Sequence, residues 1–192
     1  MAKRARNTAA LMVVGTFLCV SSARACDRRL ASGEAQSLTT SAGDSHIRSP
    51  SRAIKEAIDY GVESSPTFRN LVRTIESSDS TLYLLEGNCG KNRPACFADV
   101  TTAGQHRLLW LIISPDRAAH DWDLVGSIGH ELRHAVEVIE EPSVRSAGEK
   151  FGLYERIGIH VPGGGFETMA AMDTGLLIRE EVHKFERQRK SK

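Results

Sequence analysis

The segment Gly129-His130-Glu131-Leu132-Arg133-His134-Ala135-Val136 constrains this chain more than any other. Positions four apart on an α-helix share a face, so the imidazoles of His130 and His134 project to one side and can converge on a single ion. Glu131, one step round the helix, is held off that ion but within reach of a water bound to it. The HExxH pattern thus reads as two neutral imidazole ligands and a general base for a zinc-activated water. Leu132, Ala135, Val136 and Ile139 supply an apolar stripe to bury the helix, and Gly126 and Gly129 leave room for a close neighbour. With seven histidines in 192 residues, a chance HExxH is expected in about one such chain in a hundred.

The stretch from Gly129 to Val136 resembles the active-site helix of the thermolysin-type, or gluzincin, branch of the zincin metallopeptidases, and the chain resembles a minimal zincin core of the kind found in exported bacterial proteins. The resemblance covers this one helix and, more loosely, the strand before it. It implies an α+β fold in which a small mixed sheet offers an edge strand to an extended peptide. The HExxH helix would lie beneath that sheet, and further C-terminal helices would follow, one of them bringing a third ligand. It also implies Zn2+ as cofactor and a peptide or protein as substrate.

A catalytic zinc needs three protein ligands and an open position. The metzincin extension would place Gly at position 137 and His at position 140, where this chain has Glu137 and Glu140. The remaining candidates are Glu137, Glu155, His160, Glu167 and Asp173. Glu137 lies roughly on the metal-facing side of the same helix but about 4.5 Å along the axis from His134. It is better placed to orient a ligand imidazole, with a solvated helix glutamate as the plain alternative. Glu167, after the flexible run Val161-Pro162-Gly163-Gly164-Gly165, opens the final helix and is the best positional match to the gluzincin third ligand. It departs from the thermolysin pattern in lacking a preceding Asn and in its spacing. Asp173 and His160 compete. Asp173 sits six residues on, roughly 120° round the wheel from Glu167, so both cannot face one ion. Tyr154 and His160 are candidate donors to a developing oxyanion.

Periodicity places these residues in a frame. Helices are expected from Ser51 to Asp59 and from Pro66 to Ser77, the second with Ser65 as N-cap before a first-turn proline. Thr81–Gly87 and His106–Ser114 read as strands and Phe97–Thr102 as a third. The nearly continuous apolar run Leu108–Ile113 implies a central position or burial on both faces. Beyond Pro115 the pattern is helical, with Asp121 or Asp123 capping the HExxH helix and Pro142 just past its end. A further helix follows from Ser143 as cap through Tyr154, then a loop, then the final helix from near Phe166.

At the N-terminus, Lys3, Arg4 and Arg6, the apolar run Ala9–Val20 and the small residues before Ala25 read as a signal peptide over 1–25, the apolar run being short for a membrane span. Cleavage near Ala25 implies an exported protein, periplasmic or extracellular, and carries off four basic residues and no acidic ones, moving the formal charge from +1 by four to −3. Nothing in that balance suggests a nucleic-acid surface. No transmembrane span is expected in the mature chain, and lipidation at Cys26 is the lesser of two fates for that residue. Residues 26–50, rich in Ser, Thr, Gly and Ala, read as a disordered tether, and 51–192 as a single zincin-like domain. Cys89 and Cys96 fall seven apart in a loop-like stretch, where export permits a disulfide.

The leading expectation is a secreted zinc metallopeptidase with Glu131 as general base. The alternative is a zincin-like fold used without hydrolysis, as an envelope binding or structural protein. A third reading takes Glu86-Gly87-Asn88-Cys89 ahead of HExxH as resembling peptide deformylases, with Cys89 as the third ligand, a role that a disulfide would forbid.

Overall fold

The computed structural model describes residues 45–90, 93–162 and 165–191, all within one compact unit. The signal segment, Cys26 and the leader up to residue 44 lie outside the described residues. The chain is α+β. Strand β1 (Ile47–Arg48) is followed by helices α1 (Arg52–Ser64) and α2 (Pro66–Glu76), then by strands β2 (Ser80–Glu86), β3 (Ala95–Ala103) and β4 (His106–Ile113). After a short 3-10 turn come α3 (Asp121–Ile139), α4 (Ala147–Ile157), the two-residue strands β5 (Ile159–His160) and β6 (Phe166–Glu167), and α5 (Met169–Lys190).

The main sheet is mixed, in the order β1-β2-β4-β3, with β1 and β4 parallel to β2 and β3 antiparallel to β4. β4 is central, as its apolar run suggests, yet only one face is fully covered. Arg107, Leu109, Leu111 and Ile113 are buried while the alternate residues are half-buried. β3 and β4 form a hairpin whose two-residue turn places Gly104 at φ +62°, a conformation glycine adopts without a Cβ penalty. The chain reaches β3 at the far edge through a loop that the Cys89–Cys96 disulfide closes.

The core lies between this sheet and helices α1, α2 and α3, around Ile54, Phe68, Ile75, Leu84, Ile128 and Leu132. On its other side α3 packs on α5. Gly126, Gly129 and Gly175 make that crossing close: an added Cβ on Gly129 would stand 2.3 Å from the Ile178 side chain, and one on Gly175 3.1 Å from the His130 Cβ.

Several boundaries differ from the sequence expectation, each for a local reason. Residues 45–48, placed in the tether by composition, join the sheet. There Glu76 accepts from the Ser45 hydroxyl and the His46 amide at 2.7 and 2.8 Å, and Ile47 pairs with Leu82. Helix α1 runs five residues beyond Asp59, because Gly61 is not a breaker but a contact point: a Cβ there would meet the Phe68 ring at 2.9 Å. Ser65 does cap α2, accepting from the Phe68 amide at 2.9 Å. Helix α3 has His120 as its cap residue, and no side-chain cap bond is made there. Asp121 and Asp123 instead occupy the first turn, where the helix dipole favours them. Helix α4 begins at Ala147 with Ser146 as cap, not at Ser143, whose hydroxyl turns to Glu141. The expected loop before the last helix contains the β5–β6 hairpin, and α5 starts at Met169 behind a Thr168 cap.

Candidate metal centre

Helix α3 carries His130, Glu131 and His134 to the side facing β3, α4 and the β5–β6 hairpin. Glu167 comes to meet them from β6. It is not on the final helix, as the resemblance implied, but two residues ahead of it, on a strand fixed by pairing with Ile159. Its Oε2 lies 2.7 Å from His130 Nε2 and 3.3 Å from His134 Nε2. The three ligand atoms all fall within 4.8 Å of one another. Two imidazoles and one carboxylate gathered this closely form a group that could hold a metal ion.

The other nitrogen of His134 is also held. Glu137 Oε2 lies 2.9 Å from His134 Nδ1, and Glu137 Oε1 accepts from the Thr168 hydroxyl at 2.7 Å. Thr168 Oγ1 in turn accepts from the Ala171 amide as the N-cap of α5. A carboxylate on Nδ1 fixes the ring and leaves Nε2 facing the Glu167 carboxylate. Glu137 is thus a buried partner of the His134 ring and not a solvated helix glutamate, and both of its oxygens are occupied within a buried network.

Charges in the site follow from this crowding. Burial alone would lower the pKa of His134, but hydrogen bonds to Glu137 and Glu167 and the nearby Glu131 outweigh it, and the value is pushed up to about 9. Burial of Glu167 is likewise outweighed by its two imidazole partners, which hold its carboxyl well below the usual range. For half-buried Glu131 the balance goes the other way. Desolvation raises its pKa, although the two histidines and the Phe97 amide favour its charged form.

Tyr154, the expected oxyanion donor, is buried and lines the same cavity as Glu131 and Glu167. Its hydroxyl donates to the backbone carbonyl of His134 at 3.1 Å, and its ring stands edge-on to the imidazole at 5.2 Å. His160 is on exposed β5 with its ring against Phe166, and Asp173 is exposed on α5, so neither joins the ligand set. Glu155 is exposed as well. Cys89 is disulfide-bonded to Cys96 with a Cα–Cα distance of 5.8 Å, which removes the deformylase-like reading.

No family model, curated protein or solved structure matches the chain. Two side chains at the site escaped sequence reasoning. Thr168 had a signal, a threonine just before a helical run, which as an N-cap would have put Glu167 outside the helix. Lys150 had none. It reaches from α4 to the carbonyls of Phe97 and Ala98 on β3, at 3.4 and 2.7 Å, a meeting set by tertiary packing alone. Together with Glu131, His134, Phe151 and Phe166 it lines a cavity of about 270 Å³ that opens beside the ligand cluster.

Proposed function

We propose that the chain is an exported zinc-dependent peptidase of zincin-like fold, with His130, His134 and Glu167 as the residues that would hold the ion. The observation that carries this reading is the single carboxylate oxygen of Glu167 lying within hydrogen-bond reach of both metal-facing imidazole nitrogens. A zinc ion held by two histidines and a glutamate supplies Lewis acidity, activating a water and polarising a carbonyl. The protein's own groups do the proton work. Glu131, in the cavity beside the cluster, takes the proton of the attacking water and delivers it to the departing amine, and a carboxyl held above its ordinary range is the better base for it.

The mixed sheet, whose antiparallel edge strand β3 packs against α3, supports the zincin-like reading of the fold. The Cys89–Cys96 disulfide, of a kind that persists in oxidising compartments, supports export together with the N-terminal pattern. Among the described residues no helix is long and apolar enough to cross a membrane.

The test is Glu131→Gln assayed on a peptide library beside wild type, with zinc content measured on both. Retained zinc with cleavage lowered by about a thousandfold is expected. Equal cleavage by the variant would overturn the role of Glu131. Stoichiometric zinc with no cleavage by wild type would favour a binding or structural protein.

A further inference from the structure

The cavity beside Glu131 combines two features that an extended-peptide groove does not require. Its walls are aromatic: Phe97 on β3, Tyr154 on α4, and the edge-to-face pair Phe151 and Phe166, whose ring centroids are 5.2 Å apart. Phe151 is 54 % exposed, a large apolar ring kept at the rim of a polar site. At about 270 Å³ the space suits one aromatic residue better than a longer segment.

The second feature is an uncompensated cation. The Lys150 ammonium is half-buried at the same wall, 4.7 Å from the centroid of the Phe97 ring. Its hydrogen bonds go to two neutral backbone carbonyls. Among the described residues no carboxylate stands within 4.0 Å of it; Asp99 and Glu131 act on it only at longer range. An ammonium carries three donors, so one remains for a ligand. A desolvated cation without a counter-ion is costly, and burial depresses its pKa accordingly. Arg93, exposed at the mouth, adds a second positive charge.

We propose that this cavity binds the C-terminal residue of a peptide, its aromatic side chain among the phenylalanines and its free carboxylate on Lys150. The proposal rests on the peptidase reading and narrows its substrate class. Glu131 lines the cavity, and the group that delivers a proton to the departing amine must face the residue bearing that amine. The occupant is therefore the residue on the leaving side of the scissile bond, and a carboxylate there makes it the last residue of the chain.

The experiment uses the mature, metal-free protein, so that a carboxylate cannot report on zinc. N-acetyl-phenylalanine and its carboxamide are titrated by calorimetry into wild type, Lys150→Met and Lys150→Arg. Wild type is expected to bind the acid about tenfold or more tighter than the amide, as a charge-assisted hydrogen bond requires. That preference should vanish in Lys150→Met and survive in Lys150→Arg, whose retained charge also controls for loss of packing. Equal affinity of acid and amide for wild type, including failure of both to bind, overturns the proposal. So does an undiminished preference in Lys150→Met. Failure of the peptidase reading would show instead as absence of zinc uptake or of peptide cleavage by wild type, neither of which this measurement involves.

Discussion

Glu137 Oε2 stands 2.9 Å from His134 Nδ1, three residues back on the same helix. That contact settles which nitrogen of His134 faces the ligand cluster. Removing it by Glu137→Ala should lower zinc affinity by about ten- to a hundredfold while leaving the ligand set intact. Zinc titration against a competing chelator measures it. Unchanged affinity would mean that the imidazole is oriented by packing alone.

Thr168 serves the same network and the start of α5 at once. Thr168→Val removes the bond to Glu137 and the cap on the Ala171 amide, and should cost about 1 kcal/mol from the cap. A smaller loss of metal affinity than in Glu137→Ala should accompany it. Chemical denaturation read by circular dichroism gives the first and zinc titration the second.

The pH dependence of the metal-free protein follows from His134. Its pKa is raised from the ordinary 6.5 to about 9 because the carboxylates of Glu137 and Glu167 outweigh desolvation. A group that binds its proton more tightly in the folded state contributes stability that is full below the unfolded value and fades as pH rises through the folded one. Melting temperature in the presence of chelator should therefore decline between pH 6.5 and pH 9. The decline should be weaker in His134→Gln. A melting temperature that rises over that window contradicts the assigned charges.

Gly175 faces the Cβ of His130 across the α3–α5 contact, 3.1 Å from where its own Cβ would be. Gly175→Val should push the helices apart and destabilise the fold by about 1–3 kcal/mol. It should also weaken zinc binding, since His130 moves with α3 and Glu167 with the chain leading into α5. Parallel measurement of denaturation midpoint and zinc affinity tests both. A loss of stability without loss of affinity would show that the ligands adapt.

Among the described residues Arg107 is the largest fully buried side chain, 2 % exposed, and it ties the end of α3 to the sheet. Its guanidinium donates to the carbonyls of Val138, Ile139 and Glu141 and to Asp79 at 2.7 Å. Arg107→Met leaves those acceptors unmatched and should cost about 3 kcal/mol or more. Lysine, a point charge without the planar fork, should recover only part of it. Equilibrium denaturation decides, and a neutral Arg107→Met would remove Arg107 from the account.

The sequence was most legible where one periodic element held its own information. His130, Glu131 and His134 share a helix, so their convergence follows from spacing alone, and Ser65-Pro66 marks a helix start chemically. Cys89 and Cys96 were paired by spacing and context. Glu167 stands out in the sequence through its positional match to the gluzincin third ligand, yet its place on a strand is not legible there, because the β5–β6 hairpin has only two residues per strand and no periodicity to detect. Residues 45–48 were missed for the same reason, since a two-residue strand held by Glu76 has no signature in composition. Lys150, Arg107 and Gly175 owe their roles to contacts across 20 or more positions, which no local pattern encodes.

The most direct measurement is zinc titration of metal-stripped wild type alongside Glu167→Ala. Stoichiometric uptake by wild type, with affinity lowered about tenfold or more in the variant, is the result expected of a His130–His134–Glu167 centre. Absence of uptake by wild type, or equal affinity in the two proteins, would contradict it.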